Sequence, residues 1–452
     1  MALLLFLEDI TTIHKPNFKN NTKRIKMLRN IFISLTLTSL VLNAYSIPEL
    51  FDALKQNPNT ILDEISVKKS QIEKDKVYAT LYPKINLFAK YNHFSEPTGI
   101  VPVPPNTLTR MVKDPNVAQP FGKNVYGVGA SFTMPLFVKS IYTLVKQTKM
   151  MNKSSQKNKQ LNLLRNEALL VGTNATLQYL EALKKSLESK NHSLNETYKF
   201  IKIKVASGRA AESELYKIQD ALNSVKINLN NIEITKQKAY SSVESLTSIR
   251  LDKPVDMEQI STYKEGDFQI LEPLKLKSLA LSYGVKAQKE KIYWPNLSSN
   301  GKYNKSNTDA YNNGESITED YSQVGVTLSI PLLNMDNYAR VDEAKIEAMK
   351  IKTQLDKESV SLKAQTNALK NSLNLIENST FLYKKSVENK QKLLNIAKIS
   401  FKNGRMSMEE YLRYEDELVA QEAKLYESFM LKWQTLMKLA VIYANDIEEI
   451  VR

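Results

Sequence analysis

Two hydrophobic spacings alternate along the chain, and the complete alternation occurs twice. In the longer segments apolar residues stand three or four apart, as at Leu382, Val387, Leu393 or Leu394, Ile396 and Ile399. That spacing lays a modest apolar stripe along a polar helix, as in coiled-coil packing rather than deep burial. In the shorter segments every second residue is apolar. Val324, Val326, Leu328 and Ile330 alternate with Gly325, Thr327 and Ser329. Val128, Ala130, Phe132 and Met134 alternate with Gly127, Gly129, Ser131 and Thr133. Period two gives a strand one apolar face and one small or polar face. A partner strand is predicted ahead of each, from Tyr82-Pro83 to Tyr91 and from Trp294-Pro295 to Tyr303.

The copies match at a near-constant offset. Phe132-Thr-Met-Pro-Leu-Phe137 pairs with Leu328-Ser-Ile-Pro-Leu-Leu333, which places Pro135 196 residues before Pro331. Val205-Ala-Ser-Gly-Arg209 pairs with Phe401-Lys-Asn-Gly-Arg405, which places Gly208 196 residues before Gly404. Such a duplication builds a pseudo-symmetric body from two equivalent arms. Pro83, Pro135, Pro295 and Pro331 are expected at the helix–strand boundaries, because proline lacks the N–H that the next helical bond would need.

Between Tyr338 and Asn403 there is neither proline nor glycine over 66 residues. A continuous helix of that length reaches about 100 Å, too tall for a compact domain. The equivalent segment, Ser140–Ser207, is interrupted only by Gly172. Return helices are predicted over Ala211–Arg250 and Ser407–Ile450, both free of Gly and Pro. Each Gly–Arg pair between the arms reads as a helix stop with a left-handed glycine, followed by a new helix start. Ser407 and Glu410 have the spacing of a capping box. Gly208 and Gly404 are therefore expected at the same height.

Strands with one apolar and one small or polar face, about ten residues long, fit a transmembrane β-strand. Tyr82, Tyr91, Trp294 and Tyr303 near the strand ends could form interfacial aromatic belts. A soluble sandwich is the alternative for any one strand. Unpaired sheet edges cannot face lipid, and four strands are too few to close a barrel, so the chain would share its barrel with copies of itself. The sequence permits two, three or more. The predicted strand loops differ: the first, about Phe94 to Lys123, holds six prolines, and the second, about Asn304 to Asp320, is rich in Asn, Ser and Asp.

Composition narrows the functional classes. Cysteine is absent, which excludes disulfides, a thiolate metal site and a lipid-bearing first cysteine. The three histidines, His14, His93 and His192, have no metal-ligand spacing. The segment 27–44 has the basic start, short apolar run and small residue of a secretory signal peptide, and residues before Met27 read as an over-called start or a basic extension. The chain carries a formal net charge of +15. Its lysines are dispersed among glutamates along the helices, so nucleic acid is not an expected partner. There is no glycine-rich phosphate loop and no nucleophile constellation, so neither an enzyme nor a cofactor is expected. A secreted or cytoplasmic coiled-coil scaffold is the competing reading. It accounts for the helices and not for the twice-repeated strands.

Taken in order, the Tyr82-Pro83 and Trp294-Pro295 pairs, Ser329-Ile-Pro-Leu-Leu333 and the paired Gly–Arg turns resemble the TolC-like outer membrane efflux proteins, from about Ser46 to Val451. The resemblance implies a mostly helical, internally duplicated fold with membrane β. Each subunit of a homotrimer would give four strands to a twelve-stranded barrel and its helical hairpins to a periplasmic α-barrel tunnel. It further implies a periplasmic adaptor and an inner-membrane transporter, of the RND or ABC type, as partners in drug efflux or type I secretion, with outer-membrane lipid around the barrel. On that layout residues 1–44 are a leader, 45–250 the first repeat (β-hairpin 83–135, tip at 208), 251–270 an equatorial linker and 271–452 the second repeat (β-hairpin 295–331, tip at 404). Little chain is expected beyond the last helix. The tips Gly208, Arg209, Gly404 and Arg405 would touch the adaptor. The family's gate acids fall at Glu410 and Arg413, with Glu409 nearby, so one acidic position is kept and the other is basic. Arg413 could pair with Glu410 or Glu409 across subunits, or all three could lie on a solvated helix face.

Overall fold

The computed structural model describes residues 45–114 and 116–452; the leader segment and His14 lie outside the described residues. Residues 46–452 form one compact unit. It is mostly helical, with one four-stranded antiparallel sheet. Helix α1 is Ile47–Lys55, α2 is Pro58–Ala79, and strand β1 is Lys84–Gly99. A short α3, Pro105–Lys113, precedes β2, Phe121–Val138. The first long arm is α4, Lys139–Ala206, and its return is α5, Glu212–Thr247. The second copy is α6, Glu272–Tyr293, then β3, Asn296–Asp309, β4, Ser316–Ser329, α7, Met335–Lys402, and α8, Met408–Tyr443.

The long arms α4 and α7 are each 68 residues, about 100 Å. The returns α5 and α8 are each 36 residues. Gly172 sits inside α4 without ending it, since a helix tolerates one glycine at about 1 kcal/mol. Near the sheet, α4 packs against α2 and α6, and α6 against α7. Toward the tips, α4 packs against α5 and α8, and α8 against α7. The result is a four-helix layer at each level: α2–α4–α6–α7 above and α5–α4–α8–α7 below. Leu194, Ile201, Ile218, Val225, Ala397 and Tyr411 belong to the core that joins the lower helices.

The return helices stop earlier than their composition predicts. Both end on a left-handed residue, Ser248 at φ 59° and Ala444 at φ 52°. Past Ala444 the chain turns back on the linker, contrary to the expected lack of material there. Gln259 and Val451 form an antiparallel bridge, and Glu258 and Arg452 exchange backbone hydrogen bonds of 2.8 and 3.0 Å. The Asn174 side chain both donates to and accepts from the backbone of Val255, at 2.7 and 2.9 Å, fastening the linker to α4.

The strands run β1-β2-β3-β4, so the β2–β3 ladder joins the two copies and β1 and β4 are unpaired edges. Two expectations change here. Pro135 does not mark a boundary: it pairs with Ser298 inside β2, and α4 begins only at Lys139. The ladder slips between Pro135 and Phe137, and a bulge is where a strand can accommodate a residue that donates nothing. Pro83, Pro295 and Pro331 lie in the helix–strand connections. The second strand loop is also much shorter than its composition suggests. Pairing continues to Asp309 opposite Ser316, and the Asn307 side chain donates across it to Ser316, Ile317 and Thr318.

Candidate functional site at the tips and the sheet

Both tips are built by the same backbone device. Gly208 and Gly404 sit at φ 66° and 71°, in the left-handed region that a Cβ disfavours. The N–H of Gly208 donates to Val205 at 2.9 Å, and that of Arg209 to Lys204 at 2.8 Å. Gly404 and Arg405 repeat the pattern to Phe401 and Ser400 at 3.0 and 2.9 Å. These are Schellman bonds, which satisfy helix carbonyls left over at the C-terminus. No atom lies within 4 Å of an added Cβ at either glycine, so backbone angle alone selects the residue. Arg209 and Arg405 are exposed.

The three candidate gate residues occupy different environments. The carboxylate of Glu409 accepts from Lys217 of α5 at 2.6 Å, a bond that ties the two hairpins together. That lysine holds the Glu409 carboxyl below its ordinary range. Glu410 closes its own helix: its carboxylate accepts from the Ser407 N–H at 3.2 Å while its N–H donates to Ser407 Oγ at 3.2 Å. Arg413 reaches Glu417 at 3.7 Å rather than either neighbouring acid, and Glu417 also meets Lys390 at 2.5 Å.

A buried polar network above the tips escapes the sequence reading. The Tyr411 hydroxyl donates to Glu415 Oε1 at 2.5 Å, and Ser193 of α4 reaches the same oxygen at 2.6 Å. Tyr411 is fully buried and Glu415 is 3% exposed. Burial and the adjacent Glu415 push the Tyr411 hydroxyl up to about 12. The available signal was a carboxylate on the apolar stripe Met408, Tyr411, Glu415, Leu418, where a charge is otherwise out of place. Lys190 of α4 also pairs with Asp416 of α8.

At the other end the sheet separates two chemistries. Register places Ile85, Leu87, Val128, Ala130, Phe132, Val324, Val326 and Leu328 on one face. Much of it is bare, with Leu87 80% and Val326 64% exposed. The opposite face is polar and more enclosed: Asn304, Ser306 and Thr308 are buried there. Aromatic residues gather at two levels. Trp294 lies 6.1 Å from Phe137 at the helix end, and Tyr91 lies 4.9 Å from Tyr126 further along. Within β1 the interval from Lys84 to Tyr91 spans about 24 Å of strand, or about 18 Å at a tilt of about 40°. No described helix is long and apolar enough to cross a membrane, and the described residues hold no His/Cys/Asp/Glu group suited to a metal ion.

No protein-family model matches the sequence, and no curated protein matches it. Solved structures do match. The CmeC outer membrane channel of Campylobacter jejuni superposes with a TM-score of 0.73 at 16% identity, over 88% of this chain and 85% of that one. VceC, an outer membrane protein of Vibrio cholerae, gives 0.72 at 13% identity, over 88% and 95%. The open-state MtrE outer membrane channel of Neisseria gonorrhoeae gives 0.70 at 13% identity, over 88% of each. At these identities the likeness is one of fold: the chain has the fold of outer membrane channels such as CmeC and MtrE.

Proposed function

We propose that the protein is the outer-membrane exit duct of a tripartite efflux or secretion system, passively conducting what an inner-membrane transporter of the RND or ABC type delivers through a periplasmic adaptor. The observation that carries this reading is that the subunit is unfinished on both sides at every level. In the sheet, β1 and β4 present free ladders. In the helical layers, α2 and α5 form one edge, with Ile61, Ile65, Ile227 and Ile234 exposed, and α7 forms the other, with Ile346, Val360, Leu382, Ile396 and Ile399 exposed. Unlike edges on opposite sides of one layer close by head-to-tail rotation into a ring. Three copies would complete a twelve-stranded barrel with its bare apolar face toward lipid and its polar face inward, above a helical tunnel. That arrangement satisfies every backbone group in the membrane, as lipid requires. The likeness to CmeC and MtrE, both outer membrane channels, supports it.

On this reading Gly208, Arg209, Gly404 and Arg405 meet the adaptor, and Glu409, Glu410 and Arg413 border the entrance. The energy for transport comes from the partner.

The test is the subunit count of the mature protein extracted from outer membranes in mild detergent. A trimer whose β component melts only on heating is the expected result. A water-soluble monomer or dimer absent from that membrane would overturn the reading in favour of a scaffold rod.

A further inference from the structure

We propose that the barrel end of this duct selects for anions through Lys84, Lys90 and Lys302; the inference rests on the duct reading above. Residues paired directly across an antiparallel sheet share a face. The register puts all three lysines on the polar face, where Glu319 is the single carboxylate among the paired residues. The apolar face carries charge only toward its far end, where Lys305 stands opposite Asp320.

Glu319 cannot neutralise that excess. It lies on the same row as Lys90, by way of Gly127 and Ser306, but on the opposite edge strand. Three strand spacings separate the two by about 14 Å. Head-to-tail closure would bring β4 beside the next copy's β1, so each Glu319 could meet one lysine. Two unbalanced cations per chain would remain. None of the three lysines forms an ion pair with another described residue. Lys302 lies 5.3 Å from the Phe88 ring centre, and the Lys90 chain crosses over Gly127, where an added Cβ would meet it at 2.8 Å. These contacts set the Lys302 ammonium over the Phe88 ring and lay the Lys90 stem against Gly127, with no carboxylate at either.

Charged rings in a lipid-walled pore act at close range and set which sign of ion enters. The tip end does not reverse the bias. Glu409 is engaged by Lys217 and Glu410 caps its own helix, while Arg209 and Arg405 are exposed. The duct therefore suits cargo bearing carboxylate, sulfonate or phosphate groups.

The test is the reversal potential of the full-length mature protein in planar bilayers under a potassium chloride gradient. Chloride preference is expected. The Lys90→Gln/Lys302→Gln double variant should shift the reversal potential toward potassium, and Glu319→Gln should shift it further toward chloride. Each variant is first checked for the wild-type oligomer in detergent. Potassium preference in the wild-type protein, or a reversal potential unmoved in the double variant, overturns the selectivity assignment while leaving the duct intact. Absence of any conducting insertion overturns the duct reading itself, and the inference falls with it.

Discussion

The two helical hairpins have the same lengths and the same turn, yet only the second buries its two members unequally. In the first hairpin the two members are buried alike, with seventeen of 68 residues buried in the long arm α4 and nine of 36 in its return α5. In the second the return α8 is covered, with fourteen against seven in the long arm α7. In the lower layer, α5–α4–α8–α7, the well-covered α8 is central and the sparsely covered α7 is an edge. Duplication copied the architecture, but the edge helix α7 is the one left with few buried residues. In the proposed ring, the apolar residues left exposed on α5 and α7 would meet neighbouring copies.

Core truncation breaks that comparison most sharply. Leu194→Ala, at a fully buried site on α4, should cost about 3 kcal/mol of subunit stability through lost burial and a residual cavity. Ile399→Ala, at a site 62% exposed on α7, should leave subunit unfolding nearly unchanged and weaken self-association instead. Denaturant melts alongside native mass measurements separate the two. Equal losses of subunit stability would mean that the central and edge helices do not differ.

Next is pH. Glu167, buried on α4, is pushed up to about 7 by burial and by the nearby charges of Glu448 and Asp446, with Lys55 opposing. An acid whose folded value is raised contributes stability in full below its unfolded value near 4.5, and loses it as pH rises through about 7. Glu167→Gln should therefore stabilise the protein by up to about 3 kcal/mol at pH 8 and have no effect at pH 4. A melting shift that is the same at both values would remove the burial argument.

Smaller effects sharpen the contrast near the tips. Tyr411→Phe should cost about 1–2 kcal/mol, because Glu415 and Ser193 lose a buried partner. The equivalent residue in the first hairpin is Leu215, so Leu215→Ala should not disturb a polar network. Ser407→Ala should destabilise the second hairpin by about 1 kcal/mol, while Ala211→Ser, at the uncapped equivalent, should stabilise the first by a similar or smaller amount. Hydrogen exchange at the two tips reads both changes.

Much of this architecture was legible because it is periodic. The arms, their shared offset and the two glycine turns follow from local backbone preference, which a sequence displays directly. The misjudged places depended on partners far along the chain. Asn304 to Thr308 look like loop by composition, but their ladder partners on β2 and β4 hold them as strand. Pro135 looks like a boundary until Ser298 pairs beside it. The stripe on α7 was seen as one face, and the structure divides it: Leu394 is buried, while Leu382, Ile396 and Ile399 are not. At the candidate site the tip glycines were visible from the turn they require. The Ser193–Tyr411–Glu415 network was not, since its members come from helices more than two hundred residues apart.

The matched arm lengths also bear on how such a chain can change over generations. Residues can enter the loop at 310–315 or the segment 100–120 without moving either tip. A whole turn inserted in α4 alone would slide Gly208 past Gly404 and misalign every contact below it. Growth or shortening must be mirrored in α4, α5, α7 and α8 together, four coordinated events for one step in height. The helices thus act as a ruler whose graduations are costly to redraw, and the distance they span should be far more uniform among its descendants than the loops at the opposite end.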